Sequence, residues 1–182
     1  MAQEDYQGTI DKLNAWLAAG GDAENPNAQV LMTQAYYQLK QYDNALKPLE
    51  KAIKLVADSG ETPKENWFVL QRAIYYSLKK PEHVADVTET LVRLFNKPEY
   101  WLQLAGMYGA VNREKDQLHM LEAVYLMGGL TKEKELLNLA YLMLGEDVPY
   151  KAAKVVDKGI KAKIIEPTSK NLELLATAWR LA

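Results

Sequence analysis

A short apolar segment recurs at a fixed spacing, and this recurrence constrains the fold more than any other feature of the sequence. The segment Trp67–Leu70 is followed 34 residues later by the similar segment Trp101–Leu104. Apolar residues further along keep this spacing, with Val84, Val87 and Leu91 corresponding to Leu118, Leu121 and Tyr125. A period of roughly 20 to 50 residues is typical of repeat proteins, in which each unit covers the apolar face of its neighbour.

Within each period the apolar residues have helical spacing, so we expect an all-α chain of about ten antiparallel helices. The first full repeat is 38 residues long, and we place its excess in the connection 57–63. We expect a single domain over 1–182, and a fragment of a longer protein, because the pattern starts and stops with half a repeat. Its parts are the half-repeat 6–20, the repeats 27–60, 64–97, 98–130 and 131–166, and the half-repeat 168–182.

This pattern resembles the tetratricopeptide repeat (TPR), a helix–turn–helix unit whose first helix reads W-x2-L-G-x2-Y. The resemblance covers about residues 6–182 and implies an α-α superhelix, that is, a right-handed TPR solenoid. His83 and Gln117 stand where the second helix normally carries a small residue, so we expect looser packing in the middle repeats. The positions expected to pack between helices are Ala45, Trp67, Leu70, Trp101, Leu104, Ala105, Tyr108, Leu139, Ala140 and Ala152.

The resemblance also implies a concave groove lined by the first helix of each repeat. In the family, groove residues follow the Trp position by about one, five and eight residues. This rule selects Gln34, Tyr37, Phe68, Arg72, Tyr75, Tyr76, Leu102 and Tyr141, together with Val30, Gly106, Gly109, Leu137 and Leu144. Such an aromatic and apolar set suits an extended or helical peptide. The alternative is that several of the tyrosines only pack between neighbouring repeats.

Composition and motifs exclude several classes of function. The 22 basic and 24 acidic residues leave a net charge of −2, so we expect no nucleic-acid binding. The chain has no cysteine, and no apolar run approaches the roughly 18 residues of a membrane span. His83 and His119 are the only histidines, and no phosphate-binding loop or nucleophile motif is present. We therefore predict no enzyme activity, no catalytic or metal site and no cofactor.

A finer resemblance covers about residues 99–182. Four segments are similar in sequence to envelope repeat proteins of Gram-negative bacteria. They are Tyr100–Tyr108, Leu130–Glu133, Val148–Val156 and Asn171–Trp179. Those proteins accompany the TonB–ExbB–ExbD energy-transduction apparatus. The resemblance implies a periplasmic location and an accessory role in active transport across the outer membrane; a cytoplasmic location is the alternative.

Two functions of different classes remain open at this point. The first is a non-enzymatic scaffold that binds a protein or peptide partner in an open, continuous groove. The second is a ligand- or glycan-binding module, or an enzyme accessory, which would need a deep enclosed pocket with convergent polar groups. The half-repeats at both ends would also leave apolar faces uncovered, so self-association through the ends is a further expectation.

Overall fold

The computed structural model describes residues 5–182, and within that range the secondary structure is entirely helical. This confirms the predicted all-α class. The ten described helices are α1 (Tyr6–Ala18), α2 (Pro26–Gln38), α3 (Tyr42–Asp58), α4 (Glu65–Ser77), α5 (Pro81–Phe95), α6 (Pro98–Ala110), α7 (Glu114–Leu126), α8 (Glu133–Gly145), α9 (Pro149–Lys161) and α10 (Ser169–Leu181).

The helix ends follow from local chemistry that the sequence carries. The side chain of Asn25 accepts hydrogen bonds from the backbone N–H groups of Asn27 and Ala28 at 3.0 and 3.2 Å. Thr168 accepts one from the N–H of Asn171 at 3.3 Å, so both residues cap the helices that follow them. Several connections contain a residue with positive φ, which turns the chain out of the helix. These residues are Gly20, Lys40, Gly60, Lys79, Asn96, Asn112, Gly128, Asp147 and Lys163.

The chain divides into two compact units, one up to Phe95 and one from Asn96 onward. In the first unit α2 packs on α3 and α4 on α5, while α1 packs on α2 and α3 on α4. In the second unit α6 packs on α7 and α8 on α9, while α7 packs on α8 and α9 on α10. Each unit is therefore a stack of helical hairpins in which every helix contacts its neighbours in sequence.

Most of the predicted packing positions are buried. Ala45, Trp67, Leu104, Ala105, Tyr108, Leu139, Ala140 and Ala152 are at most 6% exposed. Leu70 and Trp101 are only partly buried. The indole N–H of Trp101 donates a hydrogen bond to the side chain of Asn96 at 2.9 Å, which explains why this ring stays near the surface.

The second repeat differs by one residue from the predicted register. α4 begins 39 residues after α2, and α6 begins 33 residues after α4. As a result Val84, which is 4% exposed, occupies the inward position that we had assigned to His83. His83 is exposed, so the prediction that it loosens the packing of this repeat is wrong.

Gln117 does lie at the inward position of its helix, and a glycine makes room for it. A Cβ atom placed on Gly109 of α6 would lie 2.7 Å from Nε2 of Gln117 on α7. The absence of a side chain at position 109 therefore lets the two helices accommodate a long amide side chain between them. Gly109 accordingly faces α7, although the sequence rule had selected it for the groove.

Candidate functional site

A pocket of about 700 Å³ lies in the second unit, with walls formed by α6 and α8 and a floor to which α7 contributes. Four of the residues selected by the groove rule line it, namely Leu102, Gly106, Leu137 and Tyr141. Nothing lies within 4 Å of a Cβ atom placed on Gly106, so this glycine leaves one wall open. Tyr141 is 46% exposed and presents its ring at the surface. The pocket is a trough that opens to solvent.

Two amide side chains line the same pocket, and the groove rule did not select either. Gln117 extends from α7 and Asn138 from α8. Neither side-chain amide has a hydrogen-bond partner among residues 5–182. The spacing of Asn138, three residues before Tyr141, places both on one helix face and could have identified it. Gln117 carried no such signal, because its position is normally one of helix packing.

The two carboxylates at the pocket, Glu133 and Glu135, both accept hydrogen bonds from other groups of the protein. Glu135 Oε2 accepts hydrogen bonds from the N–H groups of Thr131 and Lys132 at 3.1 and 3.2 Å, which caps α8. Glu133 Oε1 accepts one from the side chain of Asn171 at 2.7 Å. The bond from Asn171 to Glu133 ties α10 to α8 within the second unit. The two amides and the exposed Lys134 are therefore the polar groups of the pocket that remain to contact a ligand.

In the first unit, the predicted groove residues fall into two groups. Gln34 lines a smaller pocket of about 380 Å³ between α1 and α2, together with the exposed Leu31. Tyr76 is 75% exposed. Tyr37 is half-buried, with its ring centroid 5.6 Å from that of Tyr42, and Arg72 is also half-buried.

Phe68 and Tyr75 belong to the interior of the first unit, as does Val30. The ring of Phe68 lies 6.1 Å from that of Phe95. Tyr75 donates a hydrogen bond to Glu50 at 2.9 Å, and its ring lies 4.8 Å from that of His83. Burial, and then the hydrogen bond to Glu50, raise the pKa of Tyr75 to about 12. Phe68 and Tyr75 therefore pack inside the protein and do not line an open groove.

Within residues 5–182, no group of three His, Cys, Asp or Glu residues is arranged to hold a metal ion. None of the helices in this part of the chain combines the length and apolar character needed to cross a membrane.

Comparison with known proteins gives matches among solved structures. No protein-family model matches the sequence, and no curated protein does. The structure of MamA is 14% identical with a TM-score of 0.54, covering 87% of this chain and 89% of that chain. YrrB, a TPR protein with an unusual peptide-binding site, is 18% identical with a TM-score of 0.52, covering 95% and 86%.

A chain of the Naa15/Naa10 complex bound to HypK-THB is 11% identical with a TM-score of 0.66. That match covers 98% of this chain and 26% of the other. This chain has a TPR fold. Identities this low establish the fold alone. Each TPR repeat has a first and a second helix. The first helices of this chain are α2, α4, α6, α8 and α10, and the other five described helices are second helices. The pocket therefore lies between two successive first helices, α6 and α8.

Proposed function

We propose that this chain is a non-enzymatic scaffold that binds a peptide segment of a partner protein in the trough between α6 and α8. The observation that carries the proposal is the pairing of apolar walls with unpaired amides. Leu102, Leu137 and Tyr141 offer apolar surface for a side chain of the peptide. Gln117 and Asn138 offer both donors and acceptors to its main chain.

The form of the pocket favours a peptide over a small molecule or glycan. An enclosed small-molecule site would bury most of its ligand and direct several polar groups toward one point. This trough opens to solvent, and its carboxylates are already bonded to the protein. An exposed aromatic ring such as Tyr141 is a typical anchor for a peptide, because it adds contact area at little cost in conformational entropy.

Two structural neighbours are consistent with this proposal. YrrB has an unusual peptide-binding site, and the Naa15/Naa10 complex is bound to HypK-THB. By analogy of fold, we infer that this chain also acts through a partner protein.

We further propose that the chain works in the periplasm as an accessory of a TonB-type outer-membrane transport system. The support is the similarity of residues 99–182 to envelope repeat proteins of that kind. Cell fractionation of the native host would test the location. Recovery of the protein with cytoplasmic markers would refute it, and would leave the peptide-binding proposal unaffected.

A pocket-filling substitution tests peptide binding. A random-peptide library would be panned against the chain, and the affinity of a selected peptide measured by fluorescence anisotropy. We expect Gly106→Leu to weaken binding by about tenfold or more, because its side chain would enter the open space of the trough. Ala162→Leu, which introduces the same leucine side chain at an exposed position just after α9, is the control.

Both variants should keep the circular-dichroism spectrum of the parent. Equal peptide affinity for the parent and for Gly106→Leu would show that the trough is not the binding site. Failure to select any peptide would count against the scaffold proposal as a whole.

A further inference from the structure

A small polar pocket of about 240 Å³ lies in the first unit, between α4 and α5. Gln71 and Tyr75 line it from α4, and His83, Asp86 and Thr90 line it from one face of α5. Its volume is below the roughly 300–1,000 Å³ of a typical small-molecule pocket, so it has room for about one side chain. The pocket shares no residue with the trough between α6 and α8.

Two of the lining residues carry rings that pack together. The imidazole of His83 lies against the phenol ring of Tyr75, with the ring centroids 4.8 Å apart and the planes inclined by 36°. Tyr75 is 8% exposed, and its hydroxyl donates a hydrogen bond to Glu50 of α3 at 2.9 Å. Burial and this bond hold the rings in place, and an aromatic face attracts a cation.

Two carboxylates give the pocket a negative charge. Asp86 lines the pocket, and Glu50 accepts the hydrogen bond from Tyr75. Burial is the main cause of the raised pKa of Tyr75, and the charges of Glu50 and Asp86 add to it, so both carboxylates act on the same hydroxyl. Neither of them forms an ion pair with a Lys or Arg among residues 5–182. The pocket therefore favours a positively charged occupant.

The other polar groups of the pocket are free to accept hydrogen bonds. The side-chain amide of Gln71 has no hydrogen-bond partner within the described part of the chain. Thr90 donates its hydroxyl hydrogen to the backbone carbonyl of Asp86 at 3.1 Å, which leaves lone pairs on the hydroxyl oxygen. A ligand that carries several N–H donors would satisfy these acceptors.

We propose that this pocket binds the guanidinium of an arginine side chain from a partner protein. A guanidinium is flat and has five N–H donors, so it can lie against an aromatic ring and donate to a carboxylate and an amide oxygen. The ammonium of lysine lacks the fork that makes two parallel hydrogen bonds to a carboxylate such as Asp86. Among the described residues no Lys or Arg lines the pocket, so nothing there would hold the α-carboxylate of free arginine.

Capped pentapeptides with arginine, lysine or methionine between glycines test the proposal. The two histidines of the chain make proton NMR a direct readout, because His83 lines the pocket and His119 on α7 is an internal reference. The titration is done at about pH 8, where imidazole is ordinarily neutral and does not repel a cation.

We expect the arginine peptide to shift the ring resonances of His83 and to leave those of His119 unchanged. Its affinity should be millimolar, because one partly exposed charged contact contributes little binding free energy. The lysine peptide should bind at least about threefold more weakly, because it cannot form the forked contact. The methionine peptide is uncharged and should cause no shift.

Two substitutions test the assigned contacts. Asp86→Asn removes the charge at nearly constant size and should weaken binding of the arginine peptide about tenfold. Gln71→Met removes the amide at similar length and should weaken it about threefold. Glu61→Gln is the matched control, because it removes one exposed carboxylate from the connection between α3 and α4 and should bind like the parent. All three variants should keep the circular-dichroism spectrum of the parent.

Three results would overturn the inference. The first is an arginine peptide that does not shift His83. The second is equal affinity for the arginine and lysine peptides, which would show only a general attraction of cations to this surface. The third is unchanged arginine binding in Asp86→Asn and Gln71→Met. Gly106→Leu, which fills the trough of the second unit, should bind the arginine peptide like the parent, so the two sites are tested separately.

Discussion

Tyr75 is a single residue whose environment makes the stability of the first unit depend on pH. Its hydroxyl donates to Glu50 on α3, and its ring contacts His83 on α5. Burial and the nearby carboxylate disfavour the phenolate, which is why the pKa rises from 10.0 to about 12. Tyr75 therefore stays protonated in the folded protein over a pH range in which it would ionise in the unfolded chain.

This shift predicts how stability changes at alkaline pH. The contribution of Tyr75 is fully present below its unfolded pKa of about 10 and is lost as pH rises through its folded pKa of about 12. At about pH 8 we expect Tyr75→Phe to be less stable than the parent by about 1 kcal/mol, the typical worth of one hydrogen bond. Urea denaturation between about pH 8 and pH 12 should show this difference shrinking.

Tyr76→Phe is the matched control, because Tyr76 is 75% exposed. Its stability should follow that of the parent at every pH. A difference between Tyr75→Phe and the parent that stays constant up to pH 12 would contradict the assigned role of Glu50.

At the scale of the helices, two glycines in the second unit differ in their surroundings: one is closely packed and the other faces open space. A Cβ atom on Gly159 of α9 would lie 2.5 Å from Cδ1 of Ile165, which is itself 1% exposed. A Cβ atom on Gly106 of α6 would meet nothing within 4 Å. Both residues are helical, so their intrinsic cost to the helix is similar.

We predict opposite effects of substitution at these two glycines. Gly159→Val should destabilise the chain by about 1–3 kcal/mol, because the core around Ile165 and Leu136 must shift to admit it. Gly106→Ala should stabilise it by about 0.5–1 kcal/mol, because alanine restricts the unfolded chain and favours the helix. Thermal and urea unfolding measure both. Equal stability of the two variants would show that α8 and α9 are less tightly packed than described.

At the scale of the whole molecule, the chain divides into two units that each have their own buried core. In the first unit Leu49, Ile74 and Leu91 are 0% exposed, and in the second Leu139 and Val156 are. In repeat proteins the stability is roughly a sum over repeats and their nearest-neighbour interfaces.

We therefore expect residues 1–95 and 96–182 to fold when produced separately. Each should give a helical circular-dichroism spectrum and a cooperative urea transition. The full chain measured in the same buffer is the control. A coil-like spectrum from either piece would show that its helices depend on the rest of the chain.

Features that depend on residues near each other in sequence could be predicted. Helical periodicity together with Pro and Gly at the breaks located the ten described helices. The groove rule of the TPR family selected Leu102, Gly106, Leu137 and Tyr141, which line one trough. The one-residue shift in the second repeat could not be predicted, because the connection between α3 and α4 absorbs a residue without changing the apolar pattern.

The sequence by itself determined the helical repeat, because the repeat follows from apolar spacing within each helix, and its resemblance to the TPR family selected the groove positions. Only the tertiary structure decided which of those side chains are exposed to solvent and which are buried. Tyr75 and Tyr76 are adjacent and chemically identical, yet one is 8% exposed and the other 75% exposed. Likewise only the tertiary structure brought Gln117 to the trough. Burial depends on what a neighbouring helix places against each residue, and that information lies far away along the chain.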